Sequence, residues 1–128
     1  MKPFLHTLIT EKSFDDAVAA IQQKSAEKGF RVLHVHDVAA TLAEKGFPRE
    51  PLKIIEICNA KYASQVLSKE VKIAVMLPCP ISVYRADGQT HVCTMLPTAI
   101  SDFFPEAGVE ETAAAVEKGI LEILKEAC

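Results

Sequence analysis

The sequence predicts an α+β two-layer sandwich, in which a mostly antiparallel sheet carries its helices on one face. Apolar residues make up 49% and charged residues 24% of the 128 residues, so residues 1–128 are expected to form a single domain with its own core. Predicted strands outnumber long helices along the chain. The last two strands flank Asp87-Gly88, a strong hairpin signal, and must therefore be antiparallel.

Two segments carry long helical patterns. Ser13 offers an N-cap, and apolar residues recur at i, i+4 and i+7 from Phe14 until Gly29 stops the helix. Residues 110–127 form a second amphipathic helix, and Gly119 within its apolar stripe marks a close approach to a strand or a partner helix. Shorter helical segments are expected over residues 39–45, 61–69 and, as one turn, 98–104.

Runs rich in β-branched and aromatic residues predict the strands. They cover residues 2–10, 30–38, 52–59, 71–77, 81–85 and 90–96. Residues 71–77 are apolar on both faces, which favours a central strand, and Pro78-Cys79-Pro80 is expected to end it. Strict alternation in residues 30–38 puts Phe30, Val32, His34, His36 and Val38 on one face.

Charge and composition exclude several classes of protein. Fourteen basic against 17 acidic residues, net charge −3, argue against a nucleic-acid partner. The longest nearly apolar run, residues 73–83, is too short to cross a membrane and contains two prolines. The first residues lack a secretory signal, so a cytoplasmic location is expected. No glycine-rich phosphate loop and no nucleophile elbow occurs, and no cofactor is indicated.

The four cysteines are candidates for chemistry. None forms a C-x-x-C pair, so free thiols are expected in a reducing compartment. Cys58 precedes a predicted helix whose N-terminus would lower its pKa, and Cys79 lies between two prolines. If the third and fourth strands pair, Cys58 and Cys79 would lie at corresponding strand ends. Packing as small apolar residues is the alternative for both, and Cys93 and Cys128 are expected to be structural or incidental.

Three further polar residues are candidates near these thiols or on the sheet. His34 and His36 have a spacing that can place both imidazoles on one metal ion, although exposed histidines without a metal are the commoner outcome. Glu56 shares a face with apolar neighbours and must be paired, shifted in pKa or placed at an opening.

Three blocks of the sequence are similar to one family across nearly the whole chain. The blocks are VHDVAATLAEKGF (35–47), LKIIEICNAKYASQVL (52–67) and VMLPCPISVYRADGQ (75–89). They resemble the domain of unknown function 302 family. The resemblance implies a strand-helix-four-strand-helix core with extra short helices, as in TATA-box-binding-like folds, and it implies homodimers. It does not imply DNA binding, because function does not follow from fold.

The family's E-x-C-N-P and L-P-C-R segments correspond to residues of this chain. They place Glu56, Cys58 and Asn59 in the first segment and Cys79 in the second. Ala60 stands where the family usually has proline, and this loosens the helix entry after Asn59. Pro80 stands where a basic or polar residue is common, which removes a side chain that could bind an anion.

Three functions follow as hypotheses. The leading one is a small dimeric binding module with a cleft near Cys58 and Cys79 for a small ligand, a sulfur species or a metal, oriented by Glu56 and Asn59. The second is a thiol enzyme or redox protein, which needs a depressed thiol pKa and a base such as His34, His36 or His91. The third is a protein-interaction module without a small-molecule site, whose closing helix packs on a partner around Gly119.

Overall fold

The structure, a computed structural model, describes residues 3–128. Lys2, which the sequence assigns to the first strand, lies outside the described residues. In chain order the elements are β1 (Leu5–Thr10), α1 (Phe14–Glu27), β2 (Arg31–Asp37), α2 (Val38–Glu44), β3 (Leu52–Cys58), α3 (Ala60–Lys69), a 3₁₀ helix (Val71–Met76), β4 (Cys79–Ala86), β5 (Gln89–Met95), α4 (Ala99–Phe103) and α5 (Glu110–Ala127).

The five strands form one antiparallel sheet with the order β1-β5-β4-β3-β2. Without the short helices, the chain runs strand, helix, four strands, helix. This is the topology that the family resemblance implies, and the predicted α+β class with a mostly antiparallel sheet is confirmed. Within residues 3–128, no helix is long and apolar enough to cross a bilayer.

The main core lies between one face of the sheet and the pair of helices α1 and α5. Alternate residues of the central strands point into it, as the period of two in an extended chain requires. The largest fully buried members are Ile21 of α1, Ile120, Ile123 and Leu124 of α5, and Ile55, Ile57, Ile81, Val83 and Val92 of the sheet. A smaller cluster around Val66, Ile73, Ile100 and Val109 fills the space beside α3 and α4.

The predicted hairpin between β4 and β5 is present. Asp87 and Gly88 both have positive φ, 54° and 73°, which is the backbone that a two-residue turn with right-handed strand twist needs. Ala86 and Gln89 close the hairpin as its last pair. The turn therefore fixes the register of β4 against β5.

The prediction of a central strand over residues 71–77 is wrong, because Val71–Met76 is a 3₁₀ helix. Val71 and Val75 are 70% and 84% exposed, whereas Ile73 is buried and Met76 packs against the smaller core cluster. This spacing of three matches the 3₁₀ period, and a short apolar run does not distinguish helix from strand. The Glu70 carboxylate starts the segment by accepting a hydrogen bond from Lys72 N at 3.1 Å.

The predicted break at Pro78-Cys79-Pro80 extends too far, because the next strand begins two residues earlier than predicted. β4 begins at Cys79 and includes Pro80, the residue opposite Glu56 of β3. Proline is tolerated near the start of a strand, where one missing N–H interrupts little of the ladder. The Pro80 carbonyl still accepts a hydrogen bond from Thr94 Oγ1 at 2.8 Å.

A bulge corrects the predicted alternation of β2. The pairing with β3 shifts between Val32 and His34, so that Val32 lies opposite Ile57 and Val35 lies opposite Ile55. Val32 and Val35 both pack against the main core. His34 and His36 still share a face, but it is the opposite face to Val32, because one extra residue reverses the alternation.

The face of the sheet opposite α1 and α5 is called the outer face here. Its side chains include Leu5 and Ile9 of β1, which are 49% and 55% exposed. Continuing across the sheet, the outer face contains the half-buried residues Cys93 and Met95 of β5, Ser82 and Tyr84 of β4, and Ile54 and Glu56 of β3. It is more apolar than a sheet face that only contacts water.

Gly119 makes the close approach that its position in α5 predicts. A Cβ at Gly119 would lie 2.9 Å from Cε1 and 3.1 Å from Cζ of the Phe30 ring, which is only 4% exposed. The close neighbour is therefore the residue just before β2 of the same chain, and this part of α5 faces inward.

We expect Gly119→Ala to lower the free energy of unfolding by about 1–3 kcal/mol through overpacking against Phe30. Alanine favours a helix over glycine by about 1 kcal/mol, so a variant at least as stable as the wild type would contradict this. Urea unfolding measures the change, with Lys118→Ala on the exposed side of α5 as a control within about 0.5 kcal/mol. In a Phe30→Leu background, the cost of Gly119→Ala should shrink.

Candidate functional site

Cys58 and Cys79 come together where β3 ends and β4 begins. Cys79 lies directly opposite Ile57, so Cys58 is one residue beyond that pair. The predicted meeting of the two thiols therefore occurs, although α3 and the 3₁₀ helix form the connection and the two strands are antiparallel. Within residues 3–128 all four cysteines are free thiols.

Both thiols line one small cavity, called the thiol cavity below. Its volume is about 30 Å³, room for one or two atoms larger than hydrogen. It lies beside α3, and α4 and α5 also contribute to its wall. The lining residues are Phe30, Cys58, Asn59, Tyr62, Ala63, Val66, Leu77, Cys79, Pro97, Ile100, Ala113 and Val116.

The environment keeps both thiols protonated at neutral pH. Burial, and after it the nearby Cys58 thiol, raises the pKa of Cys79 from its ordinary 9.0 to about 11. Burial also raises the pKa of Cys58. The expectation that the N-terminus of the next helix would lower the pKa of Cys58 is therefore wrong, because burial disfavours the charged thiolate.

Asn59 caps the helix that follows Cys58. Its Oδ1 accepts a hydrogen bond from Tyr62 N at 3.1 Å and so occupies the N-cap of α3. Its Nδ2 donates to the Gly29 carbonyl at 3.1 Å. Both ends of the Asn59 amide are thus engaged in tying the end of β3 to α3 and to the loop before β2. Asn59 lines the cavity and holds Cys58 in place.

Glu56 belongs to the outer face of the sheet rather than to the thiol cavity. It lies opposite His34 of β2 and Pro80 of β4, and its carboxylate contacts Nε2 of His36. Of the three alternatives that the sequence left open for Glu56, the structure therefore shows pairing. Glu56 therefore does not line the cavity, and the structure separates it from Cys79.

The histidines also lie away from the thiols. The His34 and His36 rings meet edge to face with their centroids 4.3 Å apart. His91 stacks on Tyr84 at 5.0 Å, and its Nε2 is 3.1 Å from the Ala86 carbonyl oxygen. No histidine is among the residues that line the cavity. Across residues 3–128, no group of three or more His, Cys, Asp or Glu side chains is arranged to hold a metal ion.

Sequence reasoning missed most of the cavity wall. Tyr62 and Val66 belong to the helix predicted over residues 61–69, and their i, i+4 spacing places them on one face of α3. Ala113 and Val116 come from α5, more than thirty residues beyond Cys79. A wall built from three helices has no local sequence signal.

Comparison with known proteins decides the family. The model of the domain of unknown function DUF302 matches residues 6–127. This chain belongs to the DUF302 family. A crystal structure of an uncharacterised conserved DUF302 protein from Bacillus stearothermophilus is similar, with a TM-score of 0.93, 26% sequence identity, and coverage of 99% of this chain and 100% of that one. No curated protein matches the sequence.

The two short segments on which the resemblance rests lie side by side in this fold. The Glu-x-Cys-Asn segment ends β3, and its asparagine caps the helix that follows. The Leu-Pro-Cys segment starts β4 opposite the end of β3. The two segments therefore form the base of the thiol cavity from adjacent strands. Pro80, the residue after this segment, lies opposite Glu56.

The raised pKa of Cys79 predicts a loss of stability at alkaline pH. Between the unfolded value of 9.0 and the folded value of about 11, the unfolded chain releases the thiol proton and the folded protein retains it, so stability falls as pH rises. From about pH 8 to about pH 10, we expect the wild type to lose on the order of 1 kcal/mol more than Cys79→Ala. Urea unfolding of both proteins at each pH measures this. Equal losses would show that the Cys79 thiol is not desolvated.

Proposed function

We propose that this DUF302 domain is a non-enzymatic binding module whose cavity holds one soft atom of a ligand, either sulfur or a soft metal centre, between Cys58 and Cys79. The observation that carries the proposal is that two thiols from adjacent strands line one cavity of about 30 Å³. Its other lining groups are mostly hydrocarbon. A site of this size and polarity suits a single polarisable atom.

The same geometry favours binding over thiol catalysis. A nucleophilic cysteine needs a lowered pKa or an adjacent base. Burial raises the pKa of both thiols instead, and no histidine lines the cavity. Protonated thiols remain soft ligands, since a metal that binds them displaces the protons to solvent. A sulfur atom can pack beside them without any proton transfer.

The thiol chemistry also suits a cytoplasmic location, which we include in the proposal. Four free cysteines are typical of a compartment where thiols stay reduced. Oxidation of Cys58 or Cys79 would remove a soft ligand from the cavity. A reducing environment therefore keeps the proposed site competent.

Titration with Ag(I), used as a soft-ion probe, tests the binding proposal. The background is a Cys93→Ser, Cys128→Ser protein, which retains only the two cavity thiols. We expect one Ag(I) per chain by calorimetry. Adding Cys58→Ser should weaken binding by more than about 100-fold, because removal of a direct ligand costs more than removal of an outer partner, which costs about 10–100-fold.

The matched control is a protein that lacks both cavity thiols and keeps the other two cysteines. Cys58→Ser, Cys79→Ala leaves Cys93 on the outer face of β5 and Cys128 at the end of α5. If this protein binds Ag(I) as tightly as the background protein, the cavity thiols are not a special pair. That result would overturn the proposed function and leave packing as the role of Cys58 and Cys79.

We also propose that the domain forms a homodimer through the outer face. Leu5 and Ile9 are half exposed there, beside Cys93 of β5, Tyr84 of β4 and Ile54 of β3. The carboxylate of Glu56 on the same face is paired with His36. The alternative surface around Gly119 is not available, because Gly119 packs on Phe30 of its own chain. A second copy is the partner that presents an equally apolar sheet face.

The size of the outer face is compatible with a stable dimer. Five strands about 4.8 Å apart and roughly 22 Å long give a flat footprint of about 500 Å². The relief of side chains and flanking loops adds to this footprint. A standard interface buries about 800 Å² per partner, so the outer face together with its flanking loops approaches the area that a stable dimer needs.

We expect Ile9→Glu to convert the dimer to a monomer that remains folded, since the new charge would be buried without a partner in the interface. Sedimentation velocity measures the mass, and circular dichroism checks the fold. Val75→Glu, on the exposed 3₁₀ helix, is the control that should remain dimeric. A monomeric wild-type protein at about 100 μM would contradict the dimer.

A further inference from the structure

The thiol cavity has an open neighbour. A groove of about 420 Å³ runs between α3 and α5, and it is lined by Tyr62, Gln65, Ser68, Lys69, Glu111, Thr112 and Ala115. Tyr62 is the residue that lines both the groove and the thiol cavity. Tyr62 therefore borders both spaces, which are neighbours across this residue.

Tyr62 is suited to move. It is half-buried, and no described residue forms a hydrogen bond with its hydroxyl group. Its backbone N–H is held by Asn59, so the helix stays fixed while the ring can change rotamer. Rotation of this one side chain would join the cavity to the groove without breaking a hydrogen bond.

The two spaces differ in chemistry and size. The cavity accepts one or two atoms, whereas the groove has the volume of a typical small-molecule site. Lys69 and Glu111 place opposite charges on its two helices. Lys69 Nζ donates to the Gly108 carbonyl at 2.5 Å, which leaves its other two donors for a ligand. A polar molecule that carries both a positive and a negative charge fits this groove.

The length of the groove narrows the class of ligand that fits it. Tyr62 and Lys69 are seven residues apart on α3, about 10 Å along the helix axis. An extended peptide covers about 3.3 Å per residue, so a molecule of two or three residues would span the distance.

We infer that the thiol cavity and the α3–α5 groove form one elongated site, divided by Tyr62, for a small peptide-like thiol. Its sulfur lies between Cys58 and Cys79, and its charged body lies along the groove between Lys69 and Glu111. This inference rests on the proposed function, because it names the molecule that brings the soft atom. The binding involves no covalent step.

Calorimetry with reduced glutathione as the probe tests the inference on the full chain under reducing conditions. The comparison ligand is the same tripeptide with serine in place of cysteine. We expect the thiol form to bind at least about tenfold more tightly, since a hydroxyl placed in the apolar cavity finds no acceptor. Equal binding of both forms, or no binding of the thiol form, would overturn the inference.

Variants test the groove separately. Lys69→Gln and Glu111→Gln should each weaken glutathione binding about tenfold, the effect of losing one charge-assisted hydrogen bond. Lys118→Gln and Glu110→Gln, charged positions of α5 that do not line the groove, are the matched controls. If the groove variants behave like these controls, the peptide body does not lie there.

A labelling experiment tests whether Tyr62 separates the cavity from the groove. Tyr62→Ala should speed labelling of the buried Cys79 by N-ethylmaleimide at least about tenfold, whereas Lys61→Ala, its exposed neighbour, should not. Equal rates would show that Tyr62 does not separate the two spaces. Ag(I) titration of the Cys93→Ser, Cys128→Ser protein distinguishes the two proposals. If that protein binds Ag(I) but the full chain binds no glutathione, only the elongated site is overturned, and if neither ligand binds, the proposed function is overturned as well.

Discussion

The register between β3 and β4 is the constraint on which the rest of this molecule depends. Ile57 lies opposite Cys79 and Ile55 lies opposite Ile81, so the inward side chains of both strands meet in the main core. A slip of one residue would turn these side chains to the outer face. It would also separate Cys79 from the end of β3, and the thiol cavity would lose its base.

Several local interactions hold this register. The tight turn at Asp87-Gly88 sets the register of β4 against β5. Thr94 of β5 holds the start of β4 by donating a hydrogen bond to the Pro80 carbonyl. At the other end of β4, Arg85 N donates to the Pro51 carbonyl at 3.1 Å. Between these points, burial of alternate isoleucines and valines excludes every register that would expose them. The site is therefore a consequence of core packing and needs little structure of its own.

The sequence predicted the parts of the fold that depend on local rules. The caps, the stripe of α1 and α5 and the Asp-Gly turn each act over a few residues, and each is present. The errors occur where a distant interaction decides. Residues 71–77 have a strand composition, yet the smaller core cluster takes Ile73, Met76 and Leu77 from them and leaves Val71 and Val75 exposed. The bulge in β2 depends on the fit of Val32 and Val35 to β3.

The candidate site shows the same division. Cys58, Asn59 and Cys79 could be selected from the sequence because they lie at strand ends, and their meeting follows from one pairing. The lining from α4 and α5 and the separation of Glu56 from the cavity could not be predicted, since they depend on how helices pack and how strands twist. The direction of the thiol pKa shift was predicted wrongly for a related reason: a helix N-terminus is visible in a sequence, but burial is not.

Desolvation of the thiols finally decides what kind of chemistry the cavity can perform. A buried thiolate needs a positive partner, and the cavity lining contains no cation. The protein therefore holds Cys58 and Cys79 as neutral, polarisable groups, whereas Lys69 and Glu111 line the neighbouring groove. Apolar contacts can therefore hold a ligand in the thiol cavity, while charged contacts are available only in the groove. This separation favours recognition of a molecule that is itself soft at one end and charged at the other.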